Sequence, residues 1–500
     1  MKNSIKWTYS TLFIFSLFLF TSCNNDDDSS NDLPNPTGNL ENEINDFIWK
    51  GMNKHYYWQE DVSNLADSKF KSDDEYVSFL NSYSEPSELF FDLLYQPGVT
   101  DRNSGFIQDY EAYESSRRGV DDSFGFNFDL VFITSINQQI AYITYVIPNS
   151  PASDAGLKRG DIIIEFNDIA LTQNNRGDLR SAYYNDDHIK LALGELVDGE
   201  FVATGKEEDL ALRQVAENPI QHYEIIEQGG KKIGYLVYTG FVYTYHEELN
   251  NVFKEFKDGG ITELILDLRY NGGGANLTST YLASMIDGSA SENEIYHKLI
   301  YNSKNADENF GYNFQNNIYF FDKTTGSVTN NGAPAIINRL NTINTLYVLT
   351  TDGTASASEL IINGLRPFMD VFLIGETTYG KNVGSFTIYD SPDFSDENIN
   401  PNHKFAIQPI SFQVFNKNDE SNYADGFAPD IEVLEYQYAA SGLKAFGDIE
   451  EPLLNAALNQ ISGVIARSSL SENRKLDAKK VSNNSSSEMY VLPNEKGLIK

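Results

Sequence analysis

Three segments constrain the fold of this chain before any motif is read. Lys232-Ile233-Gly234-Tyr235-Leu236-Val237-Tyr238 is a run of strand formers, and Glu248 to Lys257 sets Val252 and Phe256 at helical spacing. Leu264-Ile265-Leu266-Asp267-Leu268-Arg269 is then a second strand, apolar enough to be buried on both faces. Strand, helix, strand at this spacing implies parallel pairing, so Pro219 to Leu434 is expected to hold an α/β core. The second strand runs into Tyr270-Asn271-Gly272-Gly273-Gly274, which as a glycine run alone marks only a tight connection.

The same region carries the most chemically suggestive stretch. Thr345 to Leu349 is a short strand, Asp352-Gly353 a turn, and Leu360, Ile361 and Leu365 follow Ser356 at helical spacing until Pro367. Ser356 therefore sits where a strand turns into a helix, beside free amides and the positive end of a helix dipole. Ser356-x-x-Glu359 also fits a capping box, which is the plain structural alternative. After another strand, Val371 to Ile374, comes Gly375-Glu376-Thr377-Thr378-Tyr379-Gly380-Lys381, with Lys381 placed 25 residues beyond Ser356. Gly375-x-x-x-x-Gly380-Lys381 approaches a phosphate loop, but Asn382 stands where that loop needs Ser or Thr. Val383 to Tyr389 reads as a strand where the loop would need a helix, so nucleotide binding is set aside.

Thr354-Ala355-Ser356-Ala357-Ser358-Glu359 together with Gly375 to Lys381 resembles the tail-specific, or carboxyl-terminal-processing, serine peptidases of the serine–lysine type. The resemblance covers roughly residues 123–434 and implies a peptidase core of the ClpP/crotonase kind. It implies Ser356 as nucleophile, Lys381 as general base and Glu359 as a supporting group. From Asp267-Leu268-Arg269-x-Asn271-Gly272-Gly273 it implies an oxyanion-hole amide at Gly272 or Gly273, with the amide of Ala357 as second donor. The chemistry is coherent in itself. A hydroxyl needs a base, and a lysine is a base only when burial or positive potential brings its pKa from about 10.4 to roughly 7–8. Lys381 is therefore expected to be largely buried. Some relatives place an aspartate about eleven residues after the serine; Pro367 occupies that place here, and nearby Asp370 is left unassigned.

Upstream, Ser123 to about Leu210 changes to short strands and turns. Phe124-Gly125-Phe126-Asn127 and Ser150-Pro151-Ala152-x-x-Ala155-Gly156-Leu157-x-x-Gly160-Asp161 strongly resemble a PDZ domain. Such modules add a peptide strand to a sheet edge. By that resemblance Phe124, Gly125, Phe126 and Asn127 form the carboxylate loop, with Phe126 departing from the usual Leu or Gly; a purely structural module is the alternative.

The start of the chain reads as an address. Lys2 and Lys6 precede an apolar core from Thr11 to Phe20 that is too short to span a bilayer. Phe20-Thr21-Ser22-Cys23 resembles a bacterial lipobox, and Cys23, the one cysteine, is best explained by lipidation. The acidic run Asn24 to Asp32 is a solvated linker that also resembles the surface-export signal of Bacteroidetes lipoproteins. The expectation is a membrane-tethered outer-membrane lipoprotein of the bacterial envelope, with outward display left open. A formal charge of −35 and a pI near 4.4 argue against nucleic-acid partners.

The expected organisation is a signal at 1–22, an acidic linker at 23–40, an N-terminal helical domain at 41–118, a PDZ domain at 119–212 and a peptidase domain at 217–436. A C-terminal helix and loose tail follow at 437–500. In fold class the chain is an α+β multidomain protein. Ile44, Phe47, Ile48 and Met52 make one stripe of the helical domain, and no chemistry is expected there. Six scattered histidines offer no metal-ligand spacing, so neither metal nor cofactor is expected; His246 or His403 remains free to approach Ser356 in space. The expected function is serine endopeptidase action on unfolded or C-terminal segments of extracytoplasmic proteins. A catalytically inactive PDZ-containing peptide-binding lipoprotein is the alternative.

Overall fold

The computed structural model describes residues 43–439, 442–463, 477–481 and 488–499. The proposed signal, Cys23 and the acidic run lie outside the described residues. Among those described, no helix is long and apolar enough to cross a membrane.

The α/β core is built as the strand–helix–strand pattern requires. Lys231–Tyr238, Glu263–Asp267, Thr345–Thr350, Asp370–Gly375 and Ile431–Glu432 lie side by side, all parallel, and Ile220–Gln228 adds an antiparallel edge. Leu264 faces Leu346 and Leu346 faces Val371 in register. His246–Gly259 is the first crossover helix; it buries Leu249, Val252, Phe253 and Phe256 and ends at Gly260 in the left-handed conformation. Asn276–Ile286 and Ala357–Leu365 are buried on all sides. They are sandwiched between this sheet and a second one, ordered Gly273–Ala275, Glu488–Tyr490, Val383–Ser385, Ile410–Asn416, Ile295–Tyr301 and Phe310–Asn313.

The PDZ region is a sheet of Phe126–Ile133, Gln138–Val146, Ile162–Phe166, His188–Val197 and Glu200–Ala211 over the helix Arg176–Asn185. Its ends are closed by Val120–Ser123 pairing with Arg213–Ala216. Arg159 of this region reaches the peptidase core, donating to Glu435 Oε1 at 2.6 Å and to the Tyr270 hydroxyl at 2.6 Å.

The N-terminal helices, beginning with Glu43–His55, bury Phe47, Ile48, Trp49 and Met52 against a core that also includes Ile388 and Ile407 of the peptidase region. Gly105–Ile107 pairs with Ala406–Gln408, so this region is joined to the catalytic one by a shared sheet.

Two expectations are corrected. Val383 to Tyr389 is two short strands, Val383–Ser385 and Ile388–Tyr389, in different sheets. The C-terminal stretch is not a loose tail where it is described: Ala478–Val481 pairs with Phe126–Ile133, and Glu488–Tyr490 lies between Gly273–Ala275 and Val383–Ser385. Its polar, Ser/Asn-rich composition hid strands of only three or four residues, which carry no periodic signal.

Candidate active site

Three neighbouring parallel strands deliver the three motifs to one end of the sheet. Glu263–Asp267 leads to the glycines, Thr345–Thr350 to Ser356 and Asp370–Gly375 to Lys381. Loops leaving the carboxyl ends of adjacent parallel strands converge, which is where open α/β sheets bind ligands.

Ser356 holds φ +63° and ψ −114°, outside the regions an L-residue with a side chain favours. Such a conformation costs of order 1–3 kcal/mol and persists where surrounding contacts over-determine it. Glu359 supplies them. Its Oε2 accepts the amides of Ser356 at 2.9 Å and Lys381 at 2.8 Å, while Oε1 accepts the amide of Gly380 at 2.7 Å and the Thr378 hydroxyl at 2.6 Å. Burial raises the Glu359 pKa against these four donors. The glutamate half of a capping box is thus present, extended to bind the turn that bears Lys381 as well. The Ser356 hydroxyl makes no hydrogen bond, so it is not bonded to Lys381 Nζ in this state.

Lys381 is 2% exposed and Ser356 fully buried. Burial lowers the Lys381 pKa to about 8, opposed by the nearby carboxylates of Glu488, Asp101 and Glu359 and assisted by Arg102. Burial thus brings the lysine's neutral form within reach just above neutral pH.

The glycine run is shaped for close approach. Gly273 has φ +111°, and a Cβ there would lie 2.7 Å from Ser356 Cβ and 3.0 Å from the Ala357 nitrogen. Its amide donates to Asn271 Oδ1 at 2.9 Å, which leaves Gly272 and Ala357 as the candidate oxyanion donors. Asn271 also binds Tyr238 O through Nδ2 at 2.9 Å, and its carbonyl accepts the Ser358 hydroxyl at 3.0 Å. This residue laces the glycine loop to the serine turn, and the sequence reading passed over it.

Neither histidine is bonded to Ser356. His246 contacts Tyr319 O and the Thr278 hydroxyl, and burial holds its pKa down at about 4. His403 contacts Asp390. Asp370 begins its strand at the far end from the site.

Beside Lys381 opens a cleft of about 870 Å³, lined among others by Asp101, Arg102, Tyr379, Ser385, Gln408 and Glu488. Two of these come from the N-terminal region, where no chemistry was expected. Arg102 donates to Gly380 O at 2.6 Å and lies over the Tyr379 ring, bracing the lysine-bearing turn. No local pattern in Asp101-Arg102-Asn103-Ser104 announces this role, which exists only because the strand at 105–107 docks there.

In the PDZ region the Gly125 amide is taken by the Ser123 hydroxyl at 2.9 Å, Phe124 and Phe126 are buried, and Asn127 is exposed. Tyr183 packs edgewise on Phe126 and Phe128, and its hydroxyl donates to Phe126 O. The expected carboxylate loop is a tightly filled turn at the start of the strand Phe126–Ile133.

Comparison with known proteins agrees with this layout. Residues 232–433 match the model of peptidase family S41, residues 43–106 that of the peptidase S41 N-terminal domain and residues 142–181 that of a PDZ domain. A carboxyl-terminal-processing protease of Synechocystis is 24% identical over 251 residues, covering 50% of this chain and 52% of that protein. The chloroplastic carboxyl-terminal-processing peptidase 3 of Arabidopsis thaliana is 26% identical over 248 residues, covering 47% and 41%. The chain thus spans about half the length, or less, of these relatives. A crystal structure from Bacteroides fragilis described as an S41 protease superposes with a TM-score of 0.63 at 27% identity, covering 84% of this chain and 98% of that one. In chain order, then, this protein carries a peptidase S41 N-terminal domain, a PDZ domain and a peptidase family S41 domain.

Proposed function

We propose that the chain is a serine endopeptidase of the carboxyl-terminal-processing kind, using Ser356 and Lys381 to hydrolyse peptide bonds in unfolded or C-terminal segments. The observation that carries this reading is the single Glu359 oxygen that accepts both the Ser356 and the Lys381 amide. Nucleophile turn and base turn hang from one buried atom.

In the reaction, neutral Lys381 takes the proton of the Ser356 hydroxyl as Oγ attacks the scissile carbonyl. The amides of Gly272 and Ala357 receive the oxyanion, a contribution worth about 2.7–4 kcal/mol per donor in comparable sites. The lysine ammonium then protonates the leaving amine, and water, deprotonated by the same lysine, releases the acyl group. The Ser356–Lys381 hydrogen bond forms as substrate enters; such bonds are often long before substrate binds.

Lipidation of Cys23 tethers the enzyme to a membrane surface in this reading, with the acidic run as spacer. It is supported by the lipobox-like Phe20-Thr21-Ser22-Cys23 and by the absence of any second cysteine.

The test is a mass-spectrometric product scan of an unfolded protein incubated with the chain from Asn24 onward and with its Ser356→Ala and Lys381→Ala variants. Fragments from the parent alone support the reading. Intact substrate in all three samples, together with tail-peptide binding, would instead make the chain a non-catalytic peptide binder.

A further inference from the structure

The strand Phe126–Ile133 has two edges. One is covered by Gln138–Val146 and the other by Ala478–Val481, antiparallel, with Val481 facing Leu130 and Ala478 facing Ile133. The second is the edge that starts at the Phe124–Asn127 turn and lies beside the helix bearing Tyr183, where a module of this kind adds a peptide strand. The chain's own C-terminal stretch pairs with the far half of that edge, Leu130 to Ile133.

A few residues later the same stretch enters the catalytic groove. Glu488–Tyr490 runs parallel to Gly273–Ala275 on one side and meets Ser385 on the other. The Glu488 amide donates to Gly272 O at 3.0 Å and the Val491 amide to Ser385 O at 3.2 Å. A Cβ built at Gly273 would meet both Glu488 O, at 2.2 Å, and Ser356 Cβ, at 2.7 Å, so this carbonyl lies directly over the nucleophile turn. Met489 is wholly buried among core residues. Ser356 is shut off from solvent in this arrangement.

Side chains on both segments meet prepared partners. Lys480 projects among the carboxylates of Asp352, Asp129 and Glu376, the last two at 3.8 Å. The Glu488 carboxylate accepts the Tyr113 hydroxyl at 3.1 Å, faces Arg117 Nε at 4.0 Å and lines the cleft that holds Lys381.

We propose that Ala478–Val481 and Glu488–Tyr490 form a resident pseudo-substrate, which holds the PDZ edge and the catalytic groove at once and is displaced when a substrate tail binds. The inference rests on the peptidase reading above and deepens it. It identifies the substrate as an extended chain that carries a cation where Lys480 meets the three carboxylates and a buried apolar side chain at the place of Met489. Because both segments belong to one stretch, release from the PDZ edge favours release from the groove.

The experiment follows phosphonylation of Ser356 by a fluorophosphonate in the full chain and in Lys480→Glu and Met489→Asp variants. Each variant is expected to label about tenfold faster than the parent, and a synthetic peptide spanning residues 477–492 to restore the slow rate. Hydrogen exchange of the unmodified chain supplies a second measurement that does not depend on the variants folding. Amides of 478–481 and 489–491 should lose protection once Ser356 is labelled. Complete labelling of the parent with those amides still protected would overturn the pseudo-substrate while leaving the peptidase intact, as would folded variants that label no faster. Failure of Ser356 to label in any form would overturn the peptidase reading and the inference with it.

Discussion

The Lys381 amide donates to Glu359 Oε2 at 2.8 Å, so the Lys381 turn is fastened by its backbone to a carboxylate on the helix that Ser356 begins. All four donors to this carboxylate are N–H or O–H groups, and none is shared with solvent. Replacing Glu359 by Gln turns one acceptor into a donor that faces other donors. Each buried donor left without a partner costs about 1–3 kcal/mol. Glu359→Gln is therefore expected to lower the thermal transition nearly as much as Glu359→Ala and to reduce kcat at least 10-fold. Calorimetry beside a peptide-hydrolysis assay checks it, and a Gln variant with parental activity would contradict the bridging role.

The pH dependence follows from Lys381. Its pKa, brought down by burial to about 8, means that the neutral, competent fraction grows as pH rises through that value and levels off above it. At pH 7 only about one-tenth of the lysines are neutral, since each pH unit below the pKa is a factor of ten. kcat/KM should rise on a single limb with midpoint near pH 8. Glu488, Asp101 and Glu359 hold the pKa up and Arg102 pushes it down. Glu488→Gln should therefore move the limb to lower pH, and Arg102→Gln to higher pH. Profiles measured from pH 5 to 10 decide; shifts of opposite sign would refute the assignment.

Gly273 tests the packing of the strand against Ser356. At φ +111° any side chain is strained by about 1–3 kcal/mol, and a methyl would collide with the Glu488 carbonyl and with Ser356. Gly273→Ala is expected to reduce peptide hydrolysis about 10²-fold, the loss expected when a clash displaces the reacting groups by about an ångström. A folded variant with undiminished turnover would show that this strand does not border the reacting carbonyl.

A buried ionic cluster joins PDZ and peptidase. Arg269 is shared by Asp267, Glu435 and Glu451, and Arg159 of the PDZ region binds Glu435 as well. Burial pushes the Glu435 carboxyl up, but Arg159 and then Arg269 outweigh it and bring the pKa to about 2. Its folded pKa is depressed, so the stability it contributes is present above the ordinary carboxylate range and is lost as pH falls towards about 2. Removing one partner of such a cluster costs about 3–5 kcal/mol. Glu435→Gln should lower the thermal transition at pH 7 and flatten the loss of stability on acidification between about pH 4.5 and 2. Parallel melts of parent and variant across that window check it.

The sequence by itself determined the parallel core, because Leu264–Leu268 has no polar alternation and can only be an inner strand between crossovers. It also placed Ser356 at a strand-to-helix turn, since Asp352-Gly353 and the Leu360, Ile361, Leu365 spacing act within one segment. Such signals are local: turn chemistry and periodicity are written in consecutive residues. What only the tertiary structure decided is which distant groups meet there. Glu359 looked like a cap and proves to hold the Lys381 turn as well; Arg102 and Asp101 reach the cleft from a region read as inert; and a Ser/Asn-rich tail supplies strands to two sheets. Strands as short as Gly273–Ala275 and Glu488–Tyr490 gain their stability from partners more than two hundred residues away, through backbone hydrogen bonds that leave no mark in side-chain pattern. The residues proposed to do the chemistry were legible; the contacts that orient and cover them depend on the closed fold.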